Sequence, residues 1–180
     1  MSSPMGLADV VIEGQAWSVK TVQNANPHKC KLLRIISGRN SPDYSYDITD
    51  PREDIQKTGR AVLGIWNERV NIALDKFDSL RTVILIRNIN ALDFTLFEIE
   101  THKYIVADCT WKINKRNNLE GYDKASDLHC FTWQPHGSQF TVKYPVPPSA
   151  VRFHLKRPPV LDFEKTMEKI GFNSDWVVIQ

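Results

Sequence analysis

Three observations predict a mixed α/β fold: a tight hairpin at the N-terminus, a long amphipathic helix in the first half, and a continuous apolar strand directly after that helix. Strands and helices do not alternate one for one, so a mixed β-sheet flanked by helices is expected, not a strict βαβ repeat. The hairpin is residues 8–12 (ADVVI) and 16–22 (AWSVKTV), joined by the turn Glu13-Gly14-Gln15. Its apolar flanks, Val10, Val11, Ile12, Ala16 and Val19, predict that it is buried. Residues 32–36 (LLRII) read as a further strand, and 37–49, rich in Ser, Asn, Asp and Gly, as a loop.

The helix is expected to start with Asp50 as N-cap and Pro51 at its first position. Ile55, Val62, Ile65, Trp66, Val70, Ala73 and Phe77 then recur at helical spacing. Gly59 and Gly64 each weaken it by about 1 kcal/mol relative to Ala. Residues 82–86 (TVILI) read as the strand at the centre of the sheet. Residues 94–99 and 103–107 suggest another hairpin, and 110–113, 131–134, 139–142 and 151–155 further strands. Residues 163–170 read as a short closing helix, and 144–149 and the pair Pro158-Pro159 as loops. Trp17, Trp66 and Trp111 are assigned to the core.

Composition narrows the function. The chain has 180 residues, 42% of them hydrophobic, which is too apolar for a disordered tail and enough for one domain spanning 1–180. With 23 Lys+Arg against 21 Asp+Glu the net charge is +2, which excludes a polybasic nucleic-acid coat but not an enzyme with a local basic face. Cys30, Cys109 and Cys130 form no CxxC pair, which argues against structural zinc and for a reducing cytosol. The start MSSPMGLADVV lacks the basic and apolar regions of a signal peptide, and no apolar run approaches the ~20 residues of a membrane helix, so no membrane partner is expected.

The segment Asp9-Val-Val-Ile-Glu13-Gly-Gln-Ala-Trp-Ser18-Val19-Lys20 carries the chemistry. Residues two apart on a strand share a face, so Ser18 and Lys20 point the same way and the hairpin brings both towards Asp9. This pattern resembles the PD-(D/E)XK phosphodiesterase superfamily, which contains most type II restriction endonucleases. There an Asp and a hairpin precede an acidic residue, any residue, and Lys. Asp9 and Lys20 match, while Ser18 stands where Asp or Glu is usual. The match covers residues 9–20, and the order hairpin, helix, apolar strand extends it in outline to Ile86.

The resemblance implies a restriction-endonuclease-like fold and a Mg²⁺-dependent, site-specific endonuclease acting on double-stranded DNA in the bacterial cytoplasm. Phosphodiester hydrolysis needs roughly 20 kcal/mol of barrier lowering, and a hard cation held by oxygen ligands suits it. Asp9 would hold the metal, with the Val19 backbone carbonyl or the Glu13 carboxylate completing the shell. Lys20 would orient the attacking water, and Ser18 would fill the acidic position. Cutting both strands symmetrically implies a homodimer. The resemblance also implies a helix ahead of the Asp strand, yet only eight residues precede Asp9. Either the chain is the C-terminal part of a longer enzyme, another element fills that place, or activity is lost. The alternative function is a catalytically inactive DNA-binding or assembly subunit of the same fold; a small-ligand domain is a third reading.

Polar groups elsewhere are candidates for contacting DNA. Gln134, His136, Ser138 and Gln139 surround a Pro-Gly turn and suit base edges or phosphates. Arg39 lies in a Ser-Gly-Arg-Asn-Ser loop, and Lys115, Arg116 and Arg152 belong to basic clusters that could follow a phosphate backbone. Glu98, Glu100 and Lys103 form a second acid–lysine group, read as charges protecting an edge strand.

Overall fold

The computed structural model describes residues 7–157 and 159–171. The first six residues and Pro158, which bear on the leader and loop readings, lie outside the described residues. The protein is mixed α/β, as expected, but its strands form two five-stranded sheets, not one.

The first sheet has the order β1-β2-β4-β5-β10, built from β1 (Val10–Ile12), β2 (Gln15–Gln23), β4 (Ser79–Asn88), β5 (Asp93–Glu100) and β10 (Val151–His154). Only the β2–β4 pair is parallel; it runs in register from Gln15↔Ser79 to Gln23↔Arg87. The second sheet, order β3-β9-β8-β7-β6, is antiparallel throughout. It comprises β3 (Leu32–Arg39), β6 (Cys109–Ile113), β7 (Leu119–Asp123), β8 (His129–Gln134) and β9 (Gln139–Pro145).

A parallel pair needs a long crossover. Here the chain leaves β2, contributes β3 to the other sheet, and returns through α1 (Pro42–Tyr46) and the 20-residue α2 (Ile55–Leu74) to β4. The inner faces of both sheets and the apolar stripe of α2 share one core. Ala16, Leu80, Ile84 and Ile86 face Leu33, Ile35, Phe131, Phe140 and Val142, with Val62, Leu63, Trp66 and Val70 of the helix among them. A closing helix, α3 (Phe163–Lys169), follows β10.

Glycine sets the depth of α2. A Cβ on Gly59 would lie 2.2 Å from the Trp111 ring, so only glycine lets the helix reach the sheet there. Two side-chain amides then fasten the helix to neighbouring backbone. Gln56 donates to the Trp111 carbonyl at 2.6 Å and accepts from its N–H at 3.1 Å. Asn67 does the same for Tyr104, at 2.8 and 2.9 Å.

Several expectations are corrected. The helix begins four residues later than expected. Asp54 is the N-cap, accepting from the Lys57 N–H at 2.8 Å, while Asp50 organises a preceding turn by accepting from the Arg52 N–H. Residues 103–107 form no strand, because Asn67 takes the backbone groups of Tyr104. Residues 37–49 are not one loop: β3 extends to Arg39 and Pro42 starts α1. Strand β7 was not expected; its sequence, Leu-Glu-Gly-Tyr-Asp, has too little apolar content to announce it. The N-terminal hairpin is not buried as a unit, since Ala16 is inaccessible but Val10, Val11, Ile12 and Val19 are exposed. Trp66 and Trp111 are core residues as expected, whereas Trp17 is half-buried and reaches Glu98.

Gly59→Ala is expected to lower the unfolding free energy by about 1–3 kcal/mol through overpacking against Trp111, although Ala is the better helix former. Urea denaturation checks the sign; a stabilised variant would contradict the seat described for α2.

Candidate active site

The hairpin turn is Glu13-Gly14, with φ of 50° and 80°, as a two-residue turn with both φ positive requires. It fixes the register Val10↔Trp17, so Asp9 follows as the residue opposite Ser18. The backbone ladder ends at Asp9, whose N–H donates to the Trp17 carbonyl at 2.8 Å. Beyond that point the Asp9 side chain replaces the missing strand. Its Oδ2 accepts from the Val19 N–H at 2.7 Å and from Ser18 Oγ at 3.2 Å. Lys20 Nζ lies 4.0 Å from the same oxygen, with the side chains one-third and one-half exposed. As an exposed ion pair the Lys20 contact adds less than about 1 kcal/mol, so the two hydrogen bonds, not the ion pair, hold Asp9 in place.

Thus Asp9, Ser18 and Lys20 are brought together on one face, at the edge of the first sheet. Ser18 is buried, and it and Lys20 point towards Ile35 and Ser37 of the facing sheet, Trp66 of α2, and Thr82, Thr101 and Tyr144. The hollow between these groups, about 10 Å³, has room for about one water molecule. The cluster is accessible from the open β1 edge, where half of the Asp9 side chain is exposed.

The donors for a metal are all oxygen. Asp9 Oδ1 takes no hydrogen bond among the described residues. The N–H and C=O of one strand residue point to the same side, so the Val19 carbonyl faces the Asp9 side as its N–H does. One carboxylate, one carbonyl and the Ser18 hydroxyl suit Mg²⁺, which keeps several waters and takes one or two carboxylates. Glu13 does not join them: it sits in the turn, beyond the Ile12↔Gln15 pair and at the far end of the hairpin from Asp9. Among the described residues no group of three His, Cys, Asp or Glu side chains forms a metal cluster.

The candidate DNA contacts divide into two places. Gln134, His136, Ser138 and Gln139 surround the β8–β9 turn, and Arg39 pairs with Gln139. Lys115 and Arg116 occupy the neighbouring β6–β7 turn, and Arg116 and His136 line one cleft of about 350 Å³. These seven therefore share one end of the second sheet. Arg152 does not join them: it lies on β10, at the opposite edge of the first sheet from β1, and donates to the carbonyls of His28, Pro148 and Ala150. Glu98 is held by Arg81 at 3.0 Å; it lies on the part of β5 that extends past the β10 pairing, where that strand is an edge.

One polar network was missed. On the second sheet, His129 Nδ1 lies 2.7 Å from Lys143 Nζ, and His129 Nε2 lies 2.7 Å from the Phe131 carbonyl. Burial, then the Lys143 and Arg34 charges, push the His129 pKa down; the neutral ring donates through Nε2 and accepts at Nδ1. Its approach to Glu120 at 4.0 Å is therefore not an ion pair. Asn114 and Tyr122 donate to Glu120 and hold its carboxyl below the usual range. Alternation along β7 to β9 is the signal that could have placed Glu120 and Lys143 on the face turned away from the core.

No family model matches the chain, and neither the curated proteins nor the solved structures contain a match to it. Among the described residues no helix is long and apolar enough to cross a membrane.

His129 generates a pH prediction. The unfolded chain takes up its proton near pH 6.5, the folded one only at lower pH. As pH falls below about 6.5 the unfolded state binds more protons, so stability is lost in that direction. His129→Gln is expected to flatten the fall of the melting temperature between pH 7 and 5; an unchanged slope would assign the acid sensitivity elsewhere.

Proposed function

We propose that the protein is a Mg²⁺-dependent endonuclease of double-stranded DNA, with a site of the restriction-endonuclease type at Asp9, Ser18 and Lys20. The observation that carries this reading is the convergence of Ser18, Val19 and Lys20 on one Asp9 carboxylate oxygen at an accessible sheet edge. A crossover through α2 to a parallel neighbour of the Lys-bearing strand agrees with the order hairpin, helix, apolar strand.

Asp9 and the Val19 carbonyl would hold the metal. When bound, Mg²⁺ supplies charge neutralisation at the phosphoryl oxygens and a lowered pKa for a coordinated water. The protein's own groups set the geometry. The Val19 N–H and Ser18 hydroxyl fix Oδ2 of Asp9 and leave Oδ1 without a hydrogen bond among the described residues. Lys20, beside the carboxylate and one-third exposed, holds the attacking water and offsets negative charge as it develops on the phosphate. Ser18 supplies a neutral hydroxyl where a second acid is usual. The enzyme would work as a homodimer, one active site per strand, in the bacterial cytoplasm.

A second reading is favoured by one observation: Asp9 is the single carboxylate of the cluster. In that reading the same surface binds duplex DNA, or helps assemble a complex on it, without cutting.

Incubating the purified chain with mixed-sequence plasmid, with and without Mg²⁺, separates the two. Discrete Mg²⁺-dependent fragments are expected, with the rate falling about 10²–10³-fold in Lys20→Ala. Asp9→Asn, which keeps an acceptor for the Val19 N–H, is expected to retain the fold and lose cleavage. Intact plasmid together with a salt-sensitive gel shift would establish the binding subunit instead.

A further inference from the structure

Strand β3 is irregular at one point. Its pairing with β9 passes from Ile36↔Thr141 to Gly38↔Phe140, which leaves Ser37 as an extra, bulged residue. Bulges bend a strand and re-aim its groups. At the bulge the Ser37 carbonyl meets Arg69 of α2, whose Nη1 donates to it at 3.4 Å and to Asn40 Oδ1 at 3.4 Å. Gly38 completes the fit: its φ is 137°, and a Cβ there would lie 2.0 Å from Arg69 Nη1. The backbone is shaped around this guanidinium.

The guanidinium is nevertheless short of partners. Arg69 is half-buried, and burial lowers its pKa. It has five N–H donors, and its two bonds go to neutral oxygens at long range. Among the described residues no carboxylate pairs with it. Glu68 lines the same cleft and keeps its charge, but it turns Oε1 to the Tyr46 hydroxyl, which donates to it at 2.8 Å, and it makes no ion pair with the guanidinium. A partly desolvated cation without a counter-charge favours an anion.

The cleft has room for one. It encloses about 600 Å³, and Arg39, Ser41, Tyr44 and Gln139 line it beside Arg69. Arg39 and Tyr44 are exposed. Ser37 joins this cleft to the candidate active site, because the residue whose carbonyl Arg69 holds also faces Ser18 and Lys20 across the small hollow.

We propose that Arg69 and Arg39 form a phosphate-binding cleft that grips the DNA backbone beside the strand presented to Asp9. Arg69 gives two N–H groups to a phosphate in a fixed fork, Arg39 a second, mobile cation, and Ser41 a hydroxyl donor. This rests on the reading of duplex DNA as the partner, but not on its cleavage.

The test uses the full chain in EDTA, titrated into a fluorescently labelled mixed-sequence duplex at several salt concentrations. Arg39→Gln and Arg69→Gln are each expected to weaken binding roughly tenfold, and to lower the slope of log affinity against log salt by about one. If Arg69 serves only to brace the bulge, Arg69→Gln lowers the melting temperature, and Arg39→Gln, an exposed change, leaves affinity and slope as in the wild type; that result overturns the proposal. Binding that depends on both arginines in a chain that never cuts DNA would keep the cleft and remove the nuclease reading. No binding of the duplex by the wild type overturns both.

Discussion

The contact between Gly59 and Trp111 sets where everything else lies. Trp111 sits on the edge strand of the second sheet, and the helix can approach it only where a side chain is missing. That approach fixes the depth of a helix whose later turns carry three dependent groups. Val62 offers its carbonyl to the fully buried Asn40 at 2.8 Å. Trp66 closes the hollow behind Ser18 and Lys20. Arg69 reaches the bulge in β3. An error of a few tenths of an ångström at Gly59 is carried along a rigid rod to all three.

Asn40 distributes the same constraint to the second sheet. Its carbonyl accepts from the Trp133 indole at 2.8 Å, and its N–H donates to the Ser138 carbonyl at 2.8 Å. One inaccessible amide thus ties the end of β3, the helix and the β8–β9 turn together. A buried amide left without partners is costly, so these bonds are made together or lost together.

The helix, the central strand and the Asp9–Ser18–Lys20 constellation were legible because they obey local rules. A 3.6-residue period, a continuous apolar run and a two-residue spacing on a strand are properties of neighbouring residues. What escaped depends on distant partners. Nothing near Tyr104 announces that Asn67, in the helix, will take the place of a neighbouring strand. Asp50 and Asp54 are equally good caps in isolation; the hydrogen bond from Thr58 Oγ1 to the Pro51 carbonyl accompanies a turn that delays the helix. Arg39 was visible as a charge in a polar loop, whereas Arg69 looked like one more helix residue until the bulge brought Ser37 to it. Division into two sheets was hidden for the same reason, since β3 leaves its sequence neighbours to pair with β9.

The hairpin has a consequence for how much of the protein is equipped at any moment. Strand β1 contributes three residue pairs, lies at a sheet edge and leaves its apolar side chains in water. Such segments open at a small fraction of the free energy of global unfolding. When this one opens, the Val19 amide and Lys20 lose the carboxylate in the same event, because one oxygen serves as strand substitute and as charge partner. Each molecule is therefore either complete or without its acid, with little between. Whatever clamps that edge, a polymer lying across it or a second copy against it, raises the complete fraction without touching Asp9, Ser18 or Lys20.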